Sequence, residues 1–307
     1  MSLAVLCPGQ GSQHPGMLDK LARDPLAKEV LSQAGKVLGD SWRDALNDPR
    51  TLFSNRYAQP LVCLAQYAAW RSLEDVLRGA TAIAGYSAGE VSAYACAGIL
   101  DAEALAHVAS ERARYMDEMG RPGGLLALQG LARDVVEPMC TAHDGHLAIV
   151  VAEDFHVVGA ASDDLQSLAS AAEQAGGQVT RLKVGVPSHT PLMRDAIEPL
   201  ARLLHASMRG TLQKTVIAGI TADRIFTREQ AIETLSRQVA ETIQWSACMD
   251  ALYERGCRVF IELGPGNALS RMMAQRHPDV RVRSLEDFRS LDGARAWLER
   301  AMEDADR

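Results

Sequence analysis

The sequence predicts an α/β protein, and three observations carry that prediction. The apolar run Ala82-Ile83-Ala84 ends in Gly85-Tyr86-Ser87-Ala88-Gly89 and passes straight into an alanine-rich stretch, which reads as a buried strand, a sharp turn and a helix with Ser87 at the corner. A second strand pattern, Arg258 to Leu263, also ends in a glycine turn, Gly264-Pro265-Gly266-Asn267. Between them, residues 123–186 follow the order β-α-β-β-α-β. Composition agrees. Of 307 residues 47% are hydrophobic but only 5% aromatic, so the core must be mostly Ala, Leu and Val, as closely packed helix-on-sheet layers require.

Taken in order, Leu3 to Cys7 is a short apolar strand that delivers the loop Pro8-Gly9-Gln10-Gly11-Ser12-Gln13. The phosphate-binding glycine patterns are absent, so this loop is expected to offer backbone N–H groups to something other than a nucleotide. Asp24 to Leu38 and Pro60 to Leu77 are predicted helices, the second with Leu61, Leu64, Ala65, Ala68 and Ala69 on one face. The helix Ala88 to Ala97 is apolar nearly all round, hence central and buried, and Gly98 ends it.

In the helix Asp101 to Met119, Leu105, Val108, Ala109, Arg112 and Met116 form one core-facing stripe. Arg112 therefore points inward, where a guanidinium needs an anionic partner or several hydrogen bonds. Snorkelling, or pairing with a structural carboxylate such as Glu90, is the plainer alternative. Arg114 instead shares a polar face with His107, Glu111 and Glu118, where a solvated ion-pair ladder accounts for it.

The middle of the chain is predicted as strand Leu125–Leu128, helix Ala132–Ala142, strands Leu147–Val151 and Phe155–Ala160, helix Asp163–Ala175 and strand Gln178–Val184. That is a ferredoxin-like unit, expected as a small subdomain over 123–186 inserted into a large one over 1–122 and 187–307. The chain returns through Pro187-Ser188-His189-Thr190-Pro191 into a helix Arg194–Met208. A strand Thr215–Ile220, helices Ala231–Val239 and Gln244–Arg255, and a charged amphipathic tail helix Glu286–Arg307 complete the prediction.

A formal net charge of −7 gives no global attraction to nucleic acid or an anionic membrane. Met1 to Gly11 does not read as a signal peptide, and the apolar stretch from Ala80 stops at Glu90, too short to span a bilayer. The six cysteines show no CxxC pairing, and His143 and His146 have no third ligand nearby, so reduced buried thiols, no metal and a cytoplasmic setting are expected.

A serine becomes a useful nucleophile only when a base takes its proton, and histidine is the usual base near neutral pH. Of eight histidines, His189 stands in a proline-bounded loop where a side chain can be aimed into a crevice; a merely structural loop histidine is the alternative.

The motifs Gly9-Gln10-Gly11-Ser12-Gln13, Gly85-Tyr86-Ser87-Ala88-Gly89-Glu90, Arg112 in Glu-Arg-Ala-Arg-Tyr-Met, Pro187-Ser188-His189, Gln244-Trp245 and Gly264-Pro265-Gly266 occur in one order and spacing. Over about residues 3–285 the chain resembles the malonyl-CoA:acyl carrier protein transacylases. The resemblance implies an α/β-hydrolase-like large subdomain and a ferredoxin-like small one. It implies Ser87 as nucleophile, His189 as base, a main-chain carbonyl at Gln244 orienting that histidine, and the amides of Gln10 and Ala88 as the oxyanion hole. Arg112 matches the arginine that grips the malonyl carboxylate.

No permanently bound cofactor is implied: malonyl-CoA is the donor and the phosphopantetheine arm of an acyl carrier protein the acceptor. Tyr86 stands where that family usually has His, Ala88 where it usually has Leu or Gln, and Glu153-Asp154-Phe155 where Asn-x-Pro is common. The Gly-Tyr-Ser-Ala-Gly-Glu form is similar to the transacylase (epsilon) subunit of malonate decarboxylase, whose other subunits would then be partners. The alternatives are a malonyl transacylase of fatty-acid synthesis, a serine thioesterase or other hydrolase, and a non-catalytic scaffold subunit.

Overall fold

A computed structural model describes residues 2–305. Its strands are β1 (Ser2–Cys7), β2 (Ala80–Gly85), β3 (Gly123–Gln129), β4 (Gly145–Val150), β5 (Phe155–Ala161), β6 (Gln178–Arg181), β7 (Thr215–Ile217), β8 (Arg224–Ile225), β9 (Cys257–Glu262) and β10 (Arg281–Ser284). The larger sheet has the order β10-β9-β1-β2-β7-β8, parallel except for β8 against β7. Alternate residues of β1 enter two different cores: Leu3, Val5 and Cys7 pack with the helices of one face, Ala4 and Leu6 with those of the other. Helices thus cover both faces, as a parallel sheet requires.

β1 and β2 lie side by side in the middle of this sheet, with Cys7 paired to Gly85 at their C-terminal ends. The loop after Cys7 and the turn after Gly85 therefore leave the sheet at the same level. This is the edge at which open α/β sheets place their ligand crevice.

The smaller sheet has the order β4-β5-β3-β6, all antiparallel, which is the ferredoxin-like arrangement. One of its faces has a core of its own, including Leu126, Leu128, Val158 and Leu168. The other, through Leu125, Ile149 and Val157, joins the core that holds Trp245 and Phe260 of the large sheet's side. A parallel bridge between Ile149 and Ile243 ties the two units together.

Several boundaries move. The helix predicted from Pro60 begins at Asn55 and breaks at Leu73, giving Asn55–Ser72 and Glu74–Leu77. Pro60 sits in its second turn, and the helix forgoes one backbone hydrogen bond there. The strands predicted to Val184 and Ile220 stop at Arg181 and Ile217. The helix predicted from Arg194 opens with a 3-10 turn, Pro191–Ala196, before Ile197–Ser207. The tail is a 3-10 turn, Leu285–Asp287, followed by a helix Leu291–Ala305; residues 1, 306 and 307 of the predicted spans lie outside the described residues. β10 and the 3-10 segment Asp40–Asn47 were not predicted. All six cysteines are free and buried.

Candidate active site

The turn after β2 is forced by steric contact. A Cβ on Gly85 would lie 2.2 Å from the backbone N of Glu90, and one on Gly89 would lie 2.0 Å from the Cys7 carbonyl oxygen. Strand and helix can approach this closely only with glycine at both places. Between them Ser87 is held at φ 55°, a left-handed conformation that costs a non-glycine residue energy and that the surrounding structure must impose. The turn is closed by Tyr86 N donating to Cys7 O at 2.9 Å and Gly89 N to Tyr86 O at 3.0 Å.

His189, also left-handed at φ 63°, is pinned by its own N–H, which donates to Val239 O at 2.7 Å. Its Nδ1 lies 2.6 Å from the main-chain carbonyl of Gln238, and its Nε2 lies 2.8 Å from Ser87 Oγ. A carbonyl can only accept, so Nδ1 carries the proton and Nε2 is left with a lone pair facing the serine. Burial pushes the imidazole down to about 3, the positive charge of Arg112 adds to the fall, and the Gln238 carbonyl opposes it. At neutral pH the ring is uncharged and ready to accept a proton.

The orienting carbonyl is that of Gln238, which corrects the expectation at Gln244. Gln244 is the N-cap of the helix Trp245–Glu254; its own carbonyl accepts from Cys248 N at 3.0 Å and its N–H donates to Gly219 O at 2.8 Å. Gln238, by contrast, caps the C-terminus of the helix Arg228–Arg237, where carbonyls lack intrahelical partners and are free to accept elsewhere.

The loop after β1 rests on the turn: a Cβ on Gly9 would meet Tyr86 O at 2.9 Å and Ser87 Cβ at 3.5 Å. Gln66 Nε2 donates to Pro8 O at 2.6 Å and Gln13 Nε2 to Leu52 O at 3.1 Å, fixing both ends of the loop. Gln10, Ser87 and His189 line one crevice. Among the described residues neither the Gln10 nor the Ala88 amide donates a hydrogen bond, so both are available to an oxyanion.

Arg112 is 1% exposed. Its Nη1 donates to Gln59 Oε1 at 2.6 Å and its Nη2 to Gln238 Oε1 at 2.9 Å, while Nε is buried without a partner among the described residues. Burial lowers the guanidinium to about 10, with attraction from Cys63 and Glu90 opposing, so it stays charged. Glu90 does not touch it. The Glu90 carboxyl, raised to about 7 by burial, accepts instead from Gln238 Nε2 at 2.6 Å and Gly219 N at 3.0 Å.

The small subdomain supplies an apolar wall to the crevice: Leu125, Ile149, Leu182 and Val184. Glu153-Asp154-Phe155 lies elsewhere, against Arg271 and Arg276 in a separate cavity. Tyr86 packs edge-on against Trp245, ring centres 5.3 Å apart, and burial pushes its phenol up. Among the described residues no three His, Cys, Asp or Glu side chains converge as a metal site, and no helix is long and apolar enough to cross a membrane.

The family described as "Acyl transferase domain" matches residues 5–285. The chain belongs to this family. Among relatives of this acyl transferase chain, a malonyl CoA-acyl carrier protein transacylase of Haemophilus influenzae is 28% identical over 310 residues, covering 96% of this chain and 98% of its own. The solved malonyl CoA-acyl carrier protein transacylase of Coxiella burnetii superposes with a TM-score of 0.91 at 26% identity, covering 98% of each chain. A malonyl-transacylase solved in complex with its type II polyketide acyl-carrier protein gives a TM-score of 0.90 at 25% identity, over 96% of this chain and 99% of that one.

Sequence reasoning missed Gln59 and Gln238, the two amides that hold Arg112. Gln59 directly precedes Pro60, where the helix was expected to begin, and Gln238 falls in a helix's last turn, a position that usually faces water.

Proposed function

We propose that this acyl transferase moves a malonyl group from coenzyme A, through an ester on Ser87, to the thiol of an acyl carrier protein. The observation that carries it is the Ser87–His189 pair at 2.8 Å, linked through Gln238 to a buried Arg112 with an unpartnered Nε. Ser87 Oγ attacks the thioester carbonyl while His189 Nε2 takes its proton, and the oxyanion is met by the amides of Gln10 and Ala88. The C–S bond then breaks and His189 returns the proton to the departing coenzyme A sulfur. The carrier thiol reverses these steps from the ester, again with His189 moving one proton. Arg112 selects acyl groups that bear a carboxylate, because a guanidinium grips a carboxylate with two parallel N–H···O bonds.

The names of the similar proteins and the carrier-bound structure support the acceptor class. They fit a carrier of fatty-acid or polyketide synthesis at least as well as the carrier of malonate decarboxylase, which Tyr86 favours. The six free, buried cysteines suit a reducing cytoplasm. In favour of a division into 1–122 with 187–307 and an inserted 123–186, β3 to β6 form one sheet and the other strands the second.

Incubation with malonyl-CoA should add roughly 86 Da to Ser87, the mass of a malonyl ester, and carrier thiol should release it far faster than water. Rapid loss to water without any acceptor would instead make the protein a hydrolase. Comparing the two kinds of carrier protein in the same assay separates the two biological settings.

A further inference from the structure

Glu90 has no part in the transfer steps above, yet it is fully buried on the helix Gly89–Cys96, three residues beyond the nucleophile. Between it and Arg112 stands one amide. Gln238 Oε1 accepts from Arg112 Nη2 at 2.9 Å, while Nε2 donates to Glu90 Oε2 at 2.6 Å and to the Ser87 carbonyl at 3.2 Å. A guanidinium has only donors, and Glu90 Oε2 already accepts from Gly219 N, so it offers the amide an acceptor whether or not the other carboxyl oxygen carries a proton; the two ends together dictate which way the amide points. Glu90 is itself held, Oε2 by Gly219 N at 3.0 Å and Oε1 by Tyr94 OH at 3.4 Å.

The other side of the guanidinium repeats the pattern. Arg112 Nη1 donates to Gln59 Oε1 at 2.6 Å, Gln59 Nε2 to Asn55 Oδ1 at 2.9 Å, and Asn55 Nδ2 to Asp117 Oδ1 at 2.9 Å. Each terminal nitrogen of Arg112 meets an amide oxygen whose far end is fixed by an acid, directly or through Asn55.

We infer that Glu90 is a positioning residue for carboxylate recognition: it orients the Gln238 amide so that a neutral oxygen, and not an acid, meets Arg112. The inference rests on Arg112 being the carboxylate-binding group. An acid bonded directly to Arg112 would occupy the guanidinium with a fixed anion that an incoming malonyl carboxylate must displace. A neutral amide oxygen satisfies the buried Nη2 before substrate arrives and yields more readily, because it holds the guanidinium by a single bond and without a net negative charge, whereas an acid would hold it as an ion pair with room for two parallel bonds. Were the amide reversed, its NH2 would face the guanidinium and its oxygen would face Glu90, two repulsive contacts that the carboxylate prevents. The same amide also reaches the Ser87 carbonyl, so the orientation of the substrate-reading group and the backbone of the nucleophile are tied to one side chain.

The test compares malonyl and acetyl transfer from coenzyme A to a carrier protein for the wild type, Glu90→Ala, Glu90→Gln and Gln238→Met, with Arg112→Ala as control. In Glu90→Ala the malonyl-over-acetyl ratio of kcat/KM should fall about tenfold to a hundredfold, chiefly through KM for malonyl-CoA, the range expected for losing an ordered hydrogen bond to a charged group. Glu90→Gln still offers an acceptor to Gln238 and should keep the ratio within about threefold of wild type. Equal loss with both donors in Glu90→Ala, or an equally large fall in Glu90→Gln, overturns the positioning role. If Glu90→Ala yields no folded protein, the volume-conserving Gln238→Met decides: it must lose the malonyl preference, and a preserved ratio refutes the inference. An unchanged ratio in Arg112→Ala refutes the carboxylate site itself. Collapse in Arg112→Ala with no change in Glu90→Ala refutes the role of Glu90 alone.

Discussion

Replacing Arg112 by alanine removes a buried guanidinium and should convert a malonyl-selective enzyme into one that is indifferent to the carboxylate. In the free protein Arg112 spends Nη1 and Nη2 on two amide oxygens at 2.6 and 2.9 Å and keeps Nε unpartnered. A malonyl carboxylate gripped by two of its N–H groups gains two charge-assisted hydrogen bonds, each worth about 1.5–3 kcal/mol when the alternative is an unsatisfied buried group. Their joint loss, about 3–6 kcal/mol, corresponds to about two to four orders of magnitude in kcat/KM. Acetyl transfer makes no use of those bonds and should fall much less. Initial rates with both donors and one carrier protein measure the difference. The same variant reports on the base. Arg112 is the second cause, after burial, of the depressed His189 imidazole, so its removal raises the pKa of the ring. Because the base works only when unprotonated, the acid limb of the acetyl-transfer profile should move to higher pH. Equal loss with both donors and an unmoved acid limb would refute the reasoning, leaving Arg112 as a structural arginine.

Three further outcomes follow from other parts of the structure. Gly89→Ala places a Cβ 2.0 Å from the Cys7 carbonyl, a backbone clash expected to cost about 3 kcal/mol or to displace Ser87, read as a lower denaturant midpoint together with lost acylation. Gln244→Ala should leave transfer within about twofold of wild type, since its side chain reaches neither Ser87 nor His189, whose partners are each other and the Gln238 carbonyl; a hundredfold loss would give the Gln244 side chain a place in the site. Glu262, buried and bonded by Ser270 N and Oγ at 2.8 and 2.7 Å, has its carboxyl raised by burial from 4.5 to about 7. The folded protein therefore binds this proton more tightly than the unfolded chain, and stability from this group is full below about pH 4.5 and declines as pH rises to about 7. The stability of the wild type relative to Glu262→Gln should fall across that window by about 3 kcal/mol, measured by denaturant unfolding at each pH.

The parts of the site that were legible in the sequence are those that local rules dictate. Gly85 and Gly89 announce a close strand-to-helix approach, the helical period turns Arg112 inward, and alternating glycine turns mark the ends of β2 and β9. The ferredoxin-like order of 123–186 was legible because each of its elements is a short, bounded apolar pattern. What stayed hidden depends on contacts between distant segments. Gln59 and Gln238 look like ordinary polar residues near helix ends, and only the packing of three helices reveals that both face one guanidinium. Gln244 was favoured because it belongs to a recognisable motif. Which carbonyl is free to accept, however, is decided by where a helix stops, and helix ends are the least certain feature of any sequence reading.

The bond from His189 to the main chain of Gln238 has a consequence for how this protein can change. A peptide carbonyl is present whatever residue is encoded, so the orientation of the histidine is invisible to codon substitution at that position. The side chain of the same residue remains open to selection. A mutational scan would therefore record position 238 as a determinant of which acyl group is accepted and would miss its service to the base. Acyl preference can drift at this position while the bond that orients the histidine is inherited intact.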